Sequence, residues 1–135
     1  KTEYRYYSSD VERELGNQLS RGSYWVLMTR DVLPNSRNKT YENQKKLLAK
    51  HVHSKGLAPY EVPHALEAVV AILLHYVRTG ERLYADAPWT YTCCQEVVDN
   101  NRYPVVVGGF SSGGLIVYCD FYVHEDRGVS CLRKF

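Results

Sequence analysis

The period of the hydrophobic pattern changes at Pro88, and this change constrains the fold more than any other feature of the sequence. Over residues 63–79, apolar side chains recur at the i, i+3, i+4 and i+7 spacing of an amphipathic helix. Pro63 suits the first turn of that helix, and Gly80 suits its end. After Pro88 the apolar residues alternate, which predicts strands over 89–94, 103–110, 115–123 and 129–134. Helices followed by strands indicate the α+β class.

Two further helices are predicted before residue 63. A capping box of Ser9 and Glu12 begins the first helix, and Gly22 ends it. Residues 40–55 predict a lysine-rich second helix, while residues 3–7 and 24–28 have the composition of strands. We therefore expect one α+β domain over residues 1–135, with about three helices packed on a C-terminal antiparallel sheet of four or more strands. The 63–79 helix, which is apolar around most of its cylinder, is expected to be central and buried.

The four cysteines all lie in the last third of the chain, in segments predicted as strands. They are Cys93, Cys94, Cys119 and Cys131. Adjacent strand residues point to opposite faces, so Cys93 and Cys94 are expected to bridge to neighbouring strands rather than to each other. An even number of cysteines on one sheet favours two disulfides and an oxidising compartment. Four free thiols in a cytosolic protein are the alternative.

Composition limits the possible partners of the chain. The formal net charge of +2 creates no strong overall attraction to nucleic acid or membrane, although local basic patches are compatible with it. No apolar run is long enough to span a bilayer. The 12 tyrosines, against 3 phenylalanines, suit either a binding surface or a half-hydrated sheet. Because the chain begins at Lys1 rather than Met, a removed signal peptide is one explanation, and we expect a secreted protein.

The turn between the last two predicted strands concentrates groups that can carry chemistry. It contains His124, Glu125, Asp126 and Arg127. A histidine titrates near neutrality and can donate or accept a proton, and an arginine fork matches phosphate oxygens. The alternative is a solvated hairpin turn with surface ion pairs.

Other motifs point away from metal and cofactor chemistry. His51 and His53 lie about 200° apart on a helix, and His64 and His75 lie about 16 Å apart along one, so neither pair shares a metal ion. The sequence has no CxxC pair, P-loop, Rossmann fingerprint or HExxH motif. We therefore predict neither a metal nor a cofactor.

Three short segments occur in the same order along this chain as similar segments in one known protein family. The first is residues 7–11, Tyr-Ser-Ser-Asp-Val; the second is Tyr103-Pro104, a Ser/Gly-Gly loop and residues 116–118, Ile-Val-Tyr. The third is Val123-His124, a polar turn and a closing strand with Cys131. In this order they resemble the opening of the helix, the central strands and the final hairpin of the guanyl-specific ribonucleases that fungi secrete. The resemblance covers about a third of the chain.

This resemblance implies RNA as a ligand and a metal-free mechanism. In that family a glutamate removes the 2′-hydroxyl proton, an arginine stabilises the phosphorane, and a histidine protonates the leaving oxygen. His124 stands at the place of the acid, but Arg102 stands at the place of the base, and Gly114-Leu115-Ile116 begins the strand that carries the arginine. The chain therefore looks closer to the ribonuclease-like effectors, lacking the catalytic set, that plant-colonising fungi secrete.

Three hypotheses of function follow. The first is a secreted ribonuclease-like effector or toxin that binds RNA or a target-cell protein, with Tyr103, Tyr118 and Tyr122 against the nucleic acid. The second is an active, metal-independent endoribonuclease with His124 as general acid. Glu125, Asp126 or Glu96 would then be the base, and Arg102 or Arg127 would hold phosphate. The third is an unrelated protein-binding module.

Overall fold

The computed structural model describes residues 4–20, 22–56 and 59–135, and these form an α+β fold with three helices. The predicted strand over 3–7 is confirmed for 4–7, while Glu3 lies outside the described residues. The helices and strands, in chain order, are β1 (Tyr4–Tyr7), α1 (Ser9–Leu15), β2 (Val26–Met28), α2 (Tyr41–Ser54), β3 (Tyr60–Glu61), α3 (Ala65–Thr79), β4 (Tyr91–Val98), β5 (Tyr103–Ser111), β6 (Gly114–Cys119), β7 (Arg127–Gly128) and β8 (Leu132–Lys134).

The strands form two sheets instead of the single C-terminal sheet that was predicted. The larger sheet has the order β1-β6-β5-β4-β7; its centre is antiparallel, and its two edge strands run parallel to their neighbours. The smaller sheet is antiparallel and has the order β2-β8-β3. The last strand therefore leaves the larger sheet and pairs with two strands from the first half of the chain. Such pairing between distant segments cannot be predicted from the local periodicity of the sequence.

The central hairpin depends on two unusual backbone segments. Asp99, Asn100 and Asn101 connect β4 to β5 and all have positive φ, which Asn and Asp tolerate better than most residues. In β5, a Cβ atom at Gly108 would lie 2.1 Å from the carbonyl oxygen of Thr90, the residue before β4, and 2.8 Å from the Cα of Tyr91 in β4. The close approach of β4 and β5 therefore requires a glycine at this position.

The main core lies between α1, α3 and the larger sheet. Val11 and Ile72 pack there from the two helices, against Val105 and Leu115 from the sheet. The prediction that the 63–79 helix is central and buried is wrong, because the described residues cover only one side of it. Four of its apolar side chains are exposed: Leu66, Val70, Leu74 and Val77. The apolar residues around most of this helix therefore did not predict correctly how much of it is buried. None of the described helices has the length and apolar character of a membrane span.

The predicted disulfides are wrong, because all four cysteines are free. Cys93 and Cys94 point to opposite faces of β4 and enter separate apolar clusters. Cys131 belongs to a third cluster with Val62 and Val129, and Cys119 Sγ lies 3.6 Å from Ser8 Oγ. The thiols act as small apolar side chains. Burial raises the pKa of Cys93 to about 12 and that of Cys94 well above its ordinary value, so both stay protonated.

Alkylation followed by intact-mass measurement tests the state of the thiols. Without reductant, the denatured chain should take up four alkyl groups, one at each free cysteine. In the native chain we expect Cys119, which is half-buried, to react before the three buried thiols. Failure of the denatured chain to react until reductant is added would show that disulfides exist.

Candidate functional site

Arg127 occupies the centre of a buried ionic cluster beside the larger sheet. Its side chain is 11% exposed, and its Nη2 donates to Asp120 Oδ2 at 2.9 Å and to the Tyr118 hydroxyl at 2.8 Å. Its Nη1 donates to the backbone carbonyl of Tyr122 at 2.9 Å. The guanidinium therefore fastens β7 to the segment that follows β6. It is engaged by the protein's own acceptors, which argues against the predicted role in holding phosphate.

His124 lies at the surface of the turn that precedes Arg127. Its Nδ1 is 2.8 Å from Asp126 Oδ1, and its side chain is 54% exposed. The Asp126 backbone N–H donates to the same Nδ1 at 3.3 Å, so this ring atom accepts a hydrogen bond within the turn. Glu125 is also exposed, and its backbone carbonyl accepts a hydrogen bond from Arg37. The structure thus keeps His124, Glu125 and Arg127 in one turn, but it sends the arginine inward and the other two outward.

Two exposed aromatic rings, Phe121 and Tyr122, lie beside this cluster, and together with the half-buried Tyr103 they form a row that we call the aromatic platform. The ring centroids of Tyr103 and Phe121 are 5.5 Å apart, and those of Phe121 and Tyr122 are 4.4 Å apart in a stacked arrangement. Phe121 is 56% exposed and Tyr122 is 65% exposed. Arg102 extends the row, because its guanidinium lies 5.8 Å from the centroid of the Tyr103 ring.

Two of the three tyrosines predicted to contact nucleic acid therefore share one surface, while Tyr118 has a different place. Its hydroxyl accepts from Arg127, and its ring packs edge-on against Tyr91 at 5.4 Å. Burial raises the pKa of Tyr118 to about 12. The sequence pattern does not predict Phe121 as a site residue, because it predicts one strand over residues 115–123. In the structure β6 ends at Cys119. The sequence signal for this end was the run Phe121-Tyr122-Val123, three consecutive apolar residues that break the alternation of a strand. In the structure all three are exposed.

A small cavity of about 20 Å³ connects the platform to the start of α2. Lys39 and Thr40 line it from the loop before that helix, and Phe121, Tyr122 and Arg127 line it from the other side. This volume holds about one water molecule and is far too small for a nucleotide. A ligand of this region must therefore lie on the platform instead of entering the protein.

Replacing Arg127 tests whether it is structural. Arg127→Ala leaves the carboxylate of Asp120 half-buried without its cation, so we expect the free energy of unfolding to fall by about 3 kcal/mol. Arg13→Ala is the matched control, because Arg13 also pairs with an aspartate, at 2.8 Å, but is 63% exposed. Chemical denaturation should show little change for this control. Equal stability of the Arg127→Ala variant and the wild type would show that the cluster does not hold the fold.

Family models, curated proteins and solved structures were all compared with the chain, and none matches it.

A second candidate site is a groove of about 820 Å³ between α1 and α3, which the sequence did not predict. Val11 and Leu15 line it from α1, and Leu66 and Val69 line it from α3. The walls are mostly apolar, and a group of charged side chains lies where α3 begins. Such a combination of apolar walls with a few polar groups is typical of binding sites.

Two carboxylates hold the N-terminus of α3 at the edge of this groove. Glu96 accepts from the Ala65 backbone N–H at 2.8 Å and lies 3.0 Å from His64 Nδ1. Glu67 accepts from the His64 backbone N–H at 2.9 Å, completing the capping box of the helix. The positive end of the helix is thus already neutralised by the protein's own anions. Glu96 was predicted as a possible catalytic base, but the structure gives it this capping role.

Glu67 is the more strongly buried of the two carboxylates. Its Oε1 accepts from the Tyr24 hydroxyl at 2.8 Å and lies 3.0 Å from Lys134 Nζ. Burial alone would raise the pKa of Glu67, but the His64 N–H, the Lys134 ammonium and the Tyr24 hydroxyl outweigh it and hold the pKa below its ordinary value of 4.5.

The depressed pKa makes part of the stability depend on pH. Because the folded state binds this proton less tightly than the unfolded state, the contribution of Glu67 is complete above the unfolded pKa near 4.5. It is lost as pH falls through the folded value. Glu67→Gln should therefore lower the free energy of unfolding at pH 7 by about 2 kcal/mol. Below pH 4 the difference in free energy of unfolding between the variant and the wild type should become smaller. Chemical denaturation of both proteins at pH 7 and pH 3 measures this difference in free energy of unfolding. A difference that is the same at both pH values would contradict the prediction.

Proposed function

We propose that this protein binds single-stranded RNA on the aromatic platform and does not turn it over. The observation that carries the proposal is the exposed, stacked pair of Phe121 and Tyr122, continued by the tilted ring of Tyr103 with the Arg102 guanidinium beside it. Bases stack on such rings regardless of sequence, and an adjacent cation pairs with the backbone phosphates. The resemblance to secreted ribonucleases supports RNA as the ligand, since one of its three segments begins at Val123-His124, directly after the platform residues.

The charges around the platform fit a polyanion better than the protein's small net charge does. Arg102 and Lys39 are exposed and border the platform on two sides. The nearby carboxylate of Asp120 is neutralised by Arg127. Arg127 shares its single charge between Asp120 and Asp126, so Arg102 and Lys39 are the cations that can meet phosphates at the platform.

Binding without cleavage is favoured over catalysis by the state of Arg127. A ribonuclease of this kind needs a free cation to stabilise the phosphorane, and Arg127 is occupied by Asp120, Tyr118 and Tyr122. His124 has Asp126 2.8 Å from its Nδ1 but lies on an exposed turn. A metal-independent endoribonuclease with His124 as acid remains the second candidate, favoured by that histidine–aspartate pair alone.

The wider role that the resemblance supports is that of a secreted effector or toxin that acts on RNA in a target cell. The free thiols withdraw the support that disulfides would have given to secretion, so this part of the proposal rests on the resemblance alone.

Fluorescence anisotropy with a labelled single-stranded RNA of about ten nucleotides tests the platform. Phe121→Ala and Tyr122→Ala should each weaken binding by about 5-fold to 150-fold, since stacking is worth about 1–3 kcal/mol per base. Trp25→Ala is the control, because Trp25 is an aromatic residue that is 83% exposed and immediately precedes β2 of the smaller sheet. Arg102→Gln should reduce the slope of log affinity against log salt by about 0.7.

The same RNA, incubated in chelator and run on a denaturing gel, separates binding from cleavage. We expect it to stay intact with the wild-type chain. Cleavage that disappears in His124→Ala would establish the catalytic alternative. Loss of affinity in the Trp25 control equal to that in the platform variants, or no measurable RNA binding, would remove the proposal.

A further inference from the structure

We propose that the groove between α1 and α3, together with the exposed face of α3, docks a basic amphipathic helix from a partner protein. This surface is built from residues that the RNA-binding proposal does not use. The two proposals can therefore fail separately.

The exposed face of α3 is a continuous apolar stripe. Leu66, Val70, Leu74 and Val77 are between 44% and 78% exposed. Their spacing of four, four and three residues places them on one side of the helix, along about 16 Å of its axis. An apolar stripe of this length on a described surface that nothing covers is typical of an interaction site.

The groove continues this stripe toward α1. Leu66 belongs to both, and Leu15 and Leu19 line the opposite wall. Leu19 is 90% exposed, so the wall is open to an incoming apolar side chain. A partner helix laid along α3 would place side chains one and two turns apart into the groove and along the stripe, as in helix-in-groove recognition.

The charges at the groove select a basic partner. Glu12 lines the groove and makes no ion pair with any described residue. Glu96 has His64 as its ionic neighbour, which is charged only when protonated. Lys134 also lines the groove and compensates Glu67, so the repulsion that an anionic ligand would meet at the start of α3 comes from Glu96. Lysine or arginine on the flank of the partner helix would pair with Glu12.

The extent and sign of the surface favour this occupant over the two alternatives. A small apolar molecule would fill the groove but would leave Val70, Leu74 and Val77 exposed. A second copy of this chain would cover the stripe, but it would bring a second Glu12 to the groove instead of a cation dedicated to Glu12.

The probe for the experiment is a synthetic amphipathic peptide of about 18 residues, long enough to form a helix. Its leucines follow the i, i+3, i+4, i+7 spacing and its remaining positions carry lysine. One control peptide has the same composition in scrambled order, and another has glutamate in place of every lysine. We expect the wild-type chain to bind the lysine helix at least 10-fold more tightly than either control peptide.

Substitutions on the exposed face locate the site without disturbing the core. The double variant Leu66→Gln/Leu74→Gln should bind the lysine peptide at least 10-fold more weakly, and Glu12→Gln should reduce the salt dependence of binding. Leu27→Gln is the matched control, since Leu27 is 55% exposed on β2 and should leave the affinity unchanged. Phe121→Ala should also leave peptide binding unchanged, which separates this surface from the platform.

Three outcomes would overturn the proposal. Equal affinity for the lysine and glutamate helices would show that charge does not select the partner. Dimerisation of the wild-type chain in analytical ultracentrifugation, abolished by Leu66→Gln/Leu74→Gln, would identify a second copy as the occupant. Binding of an apolar dye in the groove without binding of the lysine helix would identify a small-molecule site.

Discussion

The burial of the Arg127 guanidinium determines what the surface around it can display. A charge that is mostly withdrawn from water needs close acceptors, and Asp120, Tyr118 and the Tyr122 carbonyl supply them from the end of β6 and the residues after it. These contacts fix the backbone of residues 120–122 against β7. Phe121 lies between two of the anchored residues, so its ring is held on the outside, next to Tyr122 and Tyr103. The buried ion pair thus anchors the backbone on both sides of Phe121, and such anchoring lowers the entropic cost of stacking a flexible strand on the ring.

Local periodicity was enough to find the elements of the fold but not their partners. The helix over 63–79 and the hairpin of β5 and β6 follow from spacing, because side chains on one face of an element recur at a fixed period. The exposure of Val70 and Val77 does not follow from it, since burial depends on whether another layer covers the helix. In the same way, the even number of cysteines predicted bridges, whereas Cys93, Cys94 and Cys131 lie in three different apolar clusters. Pairing across a sheet and packing between layers are properties of the assembled chain.

The candidate site shows the same limit at the scale of single side chains. The turn over 124–127 was found from its residue types, and Tyr103 and Tyr122 were found from the abundance of tyrosine. Residue type did not reveal that Arg127 points inward, because an arginine serves equally as a phosphate ligand or as a structural ion pair. The roles of Glu67 and Glu96 were also hidden, since their partners at the start of α3 come from segments about 30 residues apart or from backbone N–H groups. Residue types thus predicted which functional groups are present, but only the fold shows which of them are free to bind a ligand and which are used in structural contacts.

The two proposed surfaces differ in charge, and this difference separates their ligands within one small domain. The net charge of +2 is too small to attract or repel a polyanion as a whole, so the position of each uncompensated charge matters more than the sum. Arg102 and Lys39 border the platform, whereas Glu12 and Glu96 border the groove. At physiological ionic strength such charges act over about 8 Å, so each surface acts on what touches it. A nucleic acid strand that extended from the platform into the groove would lose favourable phosphate contacts and meet carboxylates. On the two proposals, the acidic groove would limit where RNA binds as much as it would select a basic helix.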